Sequence, residues 1–241
     1  MRFLLPLLLL VSTVVRGENI ILDQTTPNEA LAVQVLIDQF ENTDIVIRRE
    51  PWLTTKPVFV IYAEAAASLG EVAIDPLIEA LDGSRQTRIG AAVGLGAIGS
   101  ASIRTEFKLH RMLMGNDSFD RILACGIIRG IGPDAFILVD SLRLCLHHDN
   151  FHVQYWACRA LSSIGSGAND ATEDLLIVLK MGIASVRRNA AITLGNIQDG
   201  MDQPTRWKVI DALQEAKKDR CQPVRAAATE AEAKIIVFYP S

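Results

Sequence analysis

Three histidines and an aspartate fall within six residues, His147-His148-Asp149-Asn150-Phe151-His152. Imidazole and carboxylate groups are ordinary ligands of a divalent metal. His148 and His152 are four residues apart, which puts them on one face of any helix that carries both. The same residues also read as a polar turn between two apolar helices, the simpler reading of so short a motif. The other reactive side chains are the thiols of Cys125, Cys145, Cys158 and Cys221. Cys145 and Cys158 flank that turn at nearly equal distances. In an antiparallel hairpin this places them at one height, where a disulfide forms if the side chains converge. On the alternative reading, Cys125 and Cys158 are small buried residues standing in for alanine. No histidine stands at a defined position beside a cysteine, so no nucleophilic thiol is read.

Other fragments of chemistry fail on context. Gly94-Leu-Gly-Ala-Ile-Gly99 has the spacing of a dinucleotide-binding turn, but it follows a helix pattern and no strand precedes it. Ser162-Ser163-Ile-Gly-Ser-Gly167 reads as a helix end and turn. Neither a nucleophile elbow nor a phosphate-binding loop is found. No catalytic residue is assigned and no cofactor is expected.

Composition narrows the function classes. The chain has 241 residues, 49% of them hydrophobic and 22% charged, and a formal net charge of -4. That is globular composition. It lacks the basic field that draws in nucleic acid, so a nucleic-acid partner is not expected. Met1-Arg2, the apolar run from Phe3 to Val15, and Val15-Arg16-Gly17 have the layout of a secretory leader cut after Gly17. The run is shorter than the roughly 20 residues of a membrane-spanning helix. The expectation is an exported chain, periplasmic or extracellular, with no integral membrane segment once residues 1–17 are removed.

The elements that must position these residues follow from an internal repeat. Gln86 to Gly99, Phe119 to Gly132, His152 to Gly165 and Ser185 to Gln198 align without a gap at a period of 33 residues. Ala91, Ala124, Ala157 and Ala190 share a column. Ala92, Cys125, Cys158 and Ala191 fill the next with small side chains. Leu95, Ile128, Leu161 and Leu194 form a third column, and Ile98, Ile131, Ile164 and Ile197 a fourth. A fifth copy, Gln222 to Ile235, follows a five-residue insertion and carries Glu232 where the leucine column should continue. Small, aliphatic and aliphatic positions at i, i+4 and i+7 make one stripe of a helix. Gly99, Gly132 and Gly165 should end three of these helices in a left-handed cap.

A second apolar helix precedes each copy. These are Asp75 to Leu81, Phe107 to Met114, Ala135 to Leu146, Thr172 to Lys180 and Trp207 to Ala216. Short polar turns at 82–84, 115–117 and 148–150 join the pairs. The spacing predicts an all-α, right-handed α-solenoid of about five to six helix hairpins. Residues 18–70 read as a divergent N-terminal capping repeat, with helices over Ala30 to Phe40 and Pro57 to Leu69. Residues 71–236 carry the repeats and residues 237–241 a short tail.

Ile74-Asp-Pro-Leu-Ile-Glu-Ala-Leu81, Thr87-Arg88-Ile-Gly-Ala-Ala and Ser185-Val-Arg-Arg-Asn-Ala-Ala-Ile-Thr-Leu-Gly-Asn-Ile197 resemble the short HEAT-like repeat of phycobilin lyase subunits and many bacterial proteins. The resemblance covers roughly residues 71 to 236. It implies an armadillo-type stack, and it leaves function open because such repeats serve unrelated tasks. HEAT-like deoxyhypusine hydroxylases hold two irons through paired His-Glu motifs, and this sequence has no His-Glu pair.

Two sets of positions speak to binding. Arg88, Arg121, Arg187 and Arg225 form a column interrupted by Gln154, which reads as a structural ladder of ion pairs or, alternatively, as an edge that binds an acidic partner. The columns beside the core stripe instead change type from copy to copy, and they supply Arg129, Tyr155, Trp156, Arg159 and Arg188. Aromatic and arginine side chains are common binding anchors. The expected function is a binding or scaffolding module that recognises a protein or peptide on its concave surface. The alternative is a repeat-type enzyme or enzyme subunit, lyase-like or metal-dependent.

Overall fold

Three glycines set the rhythm of the chain. Gly99, Gly132 and Gly165 have φ of +81°, +76° and +71°, with ψ of -137°, -137° and -140°. This is not the left-handed helical cap predicted from sequence. It is the mirror image of the extended region, where a Cβ is excluded. Each glycine N–H still donates to the carbonyl four residues back, at Leu95, Ile128 and Leu161. The chain then reverses into a seven-residue 3-10 segment: Gly99–Thr105, Gly132–Leu138 and Gly165–Ala171.

The computed structural model describes residues 65–238, with Gln34, Ile37 and Asp38, and side chains to residue 236. Among the described residues every regular element is helical. The predicted leader at 1–17 and most of the predicted cap at 18–70 lie outside them. Gln34, Ile37 and Asp38 are helical, within the first predicted cap helix, and residues 65–69 are the helical end of the second, closed at Gly70. Of the tail, Val237 and Phe238 continue the last helix, and residues 239–241 lie outside the described set.

Contacts divide the chain into two compact units, residues 1–105 and 106–241. The described part of the first holds α1 (Ile74–Ala80) and α2 (Arg85–Ile98). Ser84 caps α2, its side-chain oxygen accepting from the Thr87 N–H. Gly94 brings α2 close to Ala66 and Leu77, 3.1 Å from where its Cβ would stand. Ser102 ties the 3-10 segment to α2 by donating to the Leu95 carbonyl at 2.8 Å.

The second unit holds four hairpins. They pair α3 (Glu106–Met114) with α4 (Ser118–Ile131), α5 (Val139–Leu146) with α6 (Phe151–Ile164), α7 (Thr172–Met181) with α8 (Ala184–Asn196), and α9 (Gln203–Ala216) with α10 (Gln222–Phe238). The second helices form one layer, α4 on α6 on α8 on α10, and the first helices another. The repeat columns are that inner layer. Ala124, Ala157, Ala190 and Ala228 are fully buried, as are Ile128, Leu161 and Leu194. The small pairs Ala124-Cys125, Ala157-Cys158 and Ala190-Ala191 let these helices approach closely. Glu232 takes the place of the missing leucine in α10, and the Lys217 ammonium meets its carboxylate there.

Residues 118–146 contain an 18-residue window of mean hydropathy 1.8 and so qualify by length and composition as a candidate membrane span, contrary to the sequence expectation that no later segment would. The positive φ of Gly132 breaks that stretch into α4, a 3-10 segment and α5. Part of its apolar surface is stack core: Ile127, Ile128, Leu142 and Leu146 are fully buried among their neighbours.

One helix start departs from the pattern. Asp117 and Asn150 cap α4 and α6 through side-chain oxygens, whereas the corresponding residue before α8 is Ile183. It has the right backbone, φ -69° and ψ 162°, no side-chain cap, and is 47% exposed. Ile183→Asp should therefore stabilise the chain by about 1 kcal/mol, as the added carboxylate takes an unpaired N–H and favours the helix N-terminus. A urea midpoint that stays put or falls would show that α8 does not start there in solution.

Candidate functional site

The second helices α4, α6 and α8 carry five arginines, Arg121, Arg129, Arg159, Arg187 and Arg188, and one carboxylate, Asp120. Two of the arginines hold the repeat together. Arg121 donates through Nε to the Gly115 carbonyl at 3.0 Å, and Arg187 through Nη1 to the Gly182 carbonyl at 2.8 Å. Gln154 does the same with a neutral amide, donating to the His148 carbonyl at 2.9 Å. Arg225 donates to the Asp219 carbonyl at 2.8 Å. Arg121, Arg187 and Arg225, with Gln154 between them, thus tie down carbonyls left open after the first helices of the second unit end.

The other three arginines come together. Arg129 from α4, Tyr155 and Arg159 from α6, and Arg188 from α8 line one open cavity of about 380 Å³. Ser162 and Asn189 complete much of its wall. Arg159 donates to the Tyr155 hydroxyl at 3.1 Å. Its guanidinium carbon also lies 5.1 Å from the Trp156 ring centre and 5.6 Å from that of Tyr155. Trp156 packs edge-on against Tyr155, with centres 5.8 Å apart. Trp156 is therefore a support for Arg159 and not a wall of the cavity. The other four predicted residues share one site although 59 residues separate the first from the last.

Sequence reasoning did not single out Ser162 or Asn189. Ser162 accepts from Asn196 Nδ2 at 2.7 Å, and Asn196 in turn accepts from Lys234 at 3.0 Å. Asn189 is buried, its amide donating to the Ser185 carbonyl at 2.8 Å. Ser162 shares its column with Arg129, a variable position, and that was the available signal.

The histidine cluster does not converge. His147 Nε2 lies 2.7 Å from Asp174, which also accepts from Arg143 at 2.7 Å. His148 Nδ1 accepts from the Asn150 N–H at 3.0 Å and closes the turn. His152 stacks on Phe151, with ring centres 4.0 Å apart, and Asp149 is exposed. The candidate metal site of His147, His148, Asp149 and His152 is thus replaced by a capped turn. Among the described residues no three His, Cys, Asp or Glu side chains gather as a ligand set.

All four cysteines are free thiols, so the Cys145–Cys158 bridge is not present. Equal height did not fix direction. Cys145 Sγ lies 4.0 Å from the Leu113 carbonyl and 4.0 Å from Arg121 Nη1, both in the preceding hairpin. Its thiol is hydrogen-bonded with Cys125, which together with Arg121 holds Cys145 below the ordinary thiol range. That bond and burial push Cys125 up. Cys158 is pushed to about 12 by burial alone. These thiols behave as small core residues.

No protein-family model matches the sequence, and no curated protein matches it. Solved structures do. An engineered protein aligns over 98% of this chain and 99% of its own with a TM-score of 0.61 and 23% identity. A second engineered protein covers 85% of this chain and 96% of its own, with a TM-score of 0.60 and 22% identity. A computationally designed armadillo repeat protein for modular peptide recognition covers 84% and 99%, with a TM-score of 0.54 and 17% identity. The chain folds as an armadillo/HEAT-type helical repeat. Similarity at this level of identity establishes the architecture alone. Within that architecture, the cavity walled by α4, α6 and α8 lies on the side chains that vary between repeats.

Proposed function

We propose that this protein is an exported binding module that recognises a peptide or an extended segment of a partner protein at the cavity of Arg129, Tyr155, Arg159 and Arg188. One observation carries the reading. The repeat's conserved-type columns are consumed by the core and the turns, while the non-repeating residues of three successive helices meet in a single open cavity. A stack of like units needs no such convergence for stability. A rigid row of helices offering aromatic and arginine anchors suits a ligand that runs across them. The designed armadillo neighbour supports the same use of the architecture, and the leader at 1–17 supports export. The phase of residues 71–236 supports placing the repeat in the short HEAT-like class found in phycobilin lyase subunits.

The test is selection of peptides from a random display library on the chain lacking residues 1–17, repeated with Tyr155→Ala/Arg159→Ala. The selected peptides should compete for one site and lose at least about tenfold in affinity on the double variant. Its helical circular dichroism should be unchanged, since both side chains are only half-buried. Failure to enrich any peptide, or enrichment indifferent to the two substitutions, would remove the cavity as the binding site.

A further inference from the structure

We infer that the occupant of this cavity is an acidic segment, an extended peptide with aspartate or glutamate at alternate positions; the inference rests on the binding reading above. The full chain carries a net charge of -4, yet the cavity wall contains three guanidinium groups and no carboxylate. Among the described residues Arg129 and Arg188 have no ion pair and no hydrogen bond, and Arg159 bonds only the Tyr155 hydroxyl. A second, larger cavity is built differently. There Arg187 is paired with Asp219, Lys208 with Glu173 and Lys218 with Glu215. Of these two cavities, the first gathers arginine charge with no carboxylate in its wall.

Two of its neutral groups add donors to that charge. The Tyr155 oxygen accepts from Arg159 and the Ser162 oxygen accepts from Asn196, so each hydroxyl keeps its own hydrogen to donate outward. Asn189, Ser163 and Thr193 instead spend hydrogens inward, on the Ser185, Ala160 and Cys158 carbonyls. Three guanidinium groups and two hydroxyl donors complement a group that only accepts, and an ionised carboxylate is such a group. Arginine adds a planar fork that matches it. A cationic ligand would meet three like charges instead.

Geometry favours a chain over a single oxyanion. The arginines come from three successive helices, and packed helices stand roughly 8–10 Å apart. An extended peptide advances about 3.3 Å per residue, so alternate side chains lie about 6–7 Å apart on one side. Two carboxylates at that spacing can each meet a different arginine.

The experiment is fluorescence anisotropy on the chain lacking residues 1–17 with three labelled peptides of one length, alternating glycine with glutamate, glutamine or lysine. The glutamate peptide should bind saturably, at least about tenfold tighter than its glutamine counterpart, and weaken as salt rises from about 50 to 300 mM. Arg129→Gln/Arg188→Gln should cost it about tenfold or more with the unfolding midpoint unchanged. Arg129→Glu/Arg188→Glu should transfer binding to the lysine peptide, a gain that misfolding cannot produce. Equal binding of glutamate and glutamine peptides, or tighter binding of the lysine peptide to the unaltered chain, overturns the acidic assignment but leaves a peptide site. Displacement of the glutamate peptide by inorganic phosphate at equal concentration also overturns it, in favour of a phosphate site. If no peptide of any charge binds, the binding reading falls with it.

Discussion

Gly195→Ala should destabilise the protein by about 2 kcal/mol, while the same change at Gly126 should stabilise it by about 1 kcal/mol. Both glycines lie within second helices, where alanine is intrinsically favoured by about 1 kcal/mol. They differ in what a methyl group would meet. A Cβ at Gly195 would stand 2.8 Å from Ala231 Cα and 2.9 Å from Ala231 Cβ. The first of these is backbone and cannot swing aside, so α8 and α10 would have to separate. Such overpacking typically costs 1–3 kcal/mol, more than the helix preference returns. A Cβ at Gly126 would meet nothing within 4 Å. Because α10 belongs to the last hairpin, the Gly195 variant should also loosen α9 and α10 ahead of the remaining helices, read as proteolysis near residues 199–202. Matched urea titrations of the two variants decide the point. Equal shifts would show that the α8–α10 approach is not the close one described.

Much of this architecture was legible because a small-aliphatic-aliphatic stripe at constant period has few physical meanings. Ala91, Ala124, Ala157 and Ala190 could share a column only if helices stacked on them. What escaped were features set by direction. The run Ala135-Phe136-Ile137-Leu138 is as apolar as a helix core, so it read as the start of α5. Ala135 and Leu138 are indeed buried, but Phe136 and Ile137 are 62% and 59% exposed, because the 3-10 turn after Gly132 advances with three residues per turn. The cysteines failed for a related reason. Distance from a turn gives height along a hairpin, but not the side of the helix, and Cys145 leans toward α3 and α4. The cavity residues were found from the same alignment that revealed the core. A residue that changes type between copies, such as Tyr155 to Arg188, is free of the repeat's packing demands. Their meeting in one place was not legible. Arg129, Arg159 and Arg188 occupy three different columns, and only the stacking of α4, α6 and α8 turns that diagonal into one wall.

Asp219→Ala should cost about 3 kcal/mol at neutral pH, the largest loss expected from any single surface-layer substitution here. Asp219 stands in the turn before α10 and accepts two bonds from Arg187 of α8, from Nε at 2.7 Å and Nη2 at 2.8 Å. It also accepts from the Cys221 N–H at 2.7 Å. The two ionic side chains are 12% and 13% exposed, so water screens them poorly. Removing the carboxylate leaves Arg187 largely buried with only the Gly182 carbonyl to satisfy it, and an unpaired buried charge is costly. The Arg187 guanidinium, opposed by partial burial and helped by the Cys221 N–H, holds the Asp219 carboxyl below its ordinary range. A group depressed in the folded state stabilises it fully above the unfolded value, about 3.9, and loses that contribution as pH falls through the folded value. Asp174, held low by Arg143 and His147 against its own burial, adds to the same acid limb. The gap between the unaltered chain and Asp219→Ala in urea unfolding should thus be full at pH 7 and shrink below about pH 4. A gap that stays constant into acid would mean that Asp219 contributes by shape and not by charge, and the clasp between the last two hairpins would then have to be sought elsewhere.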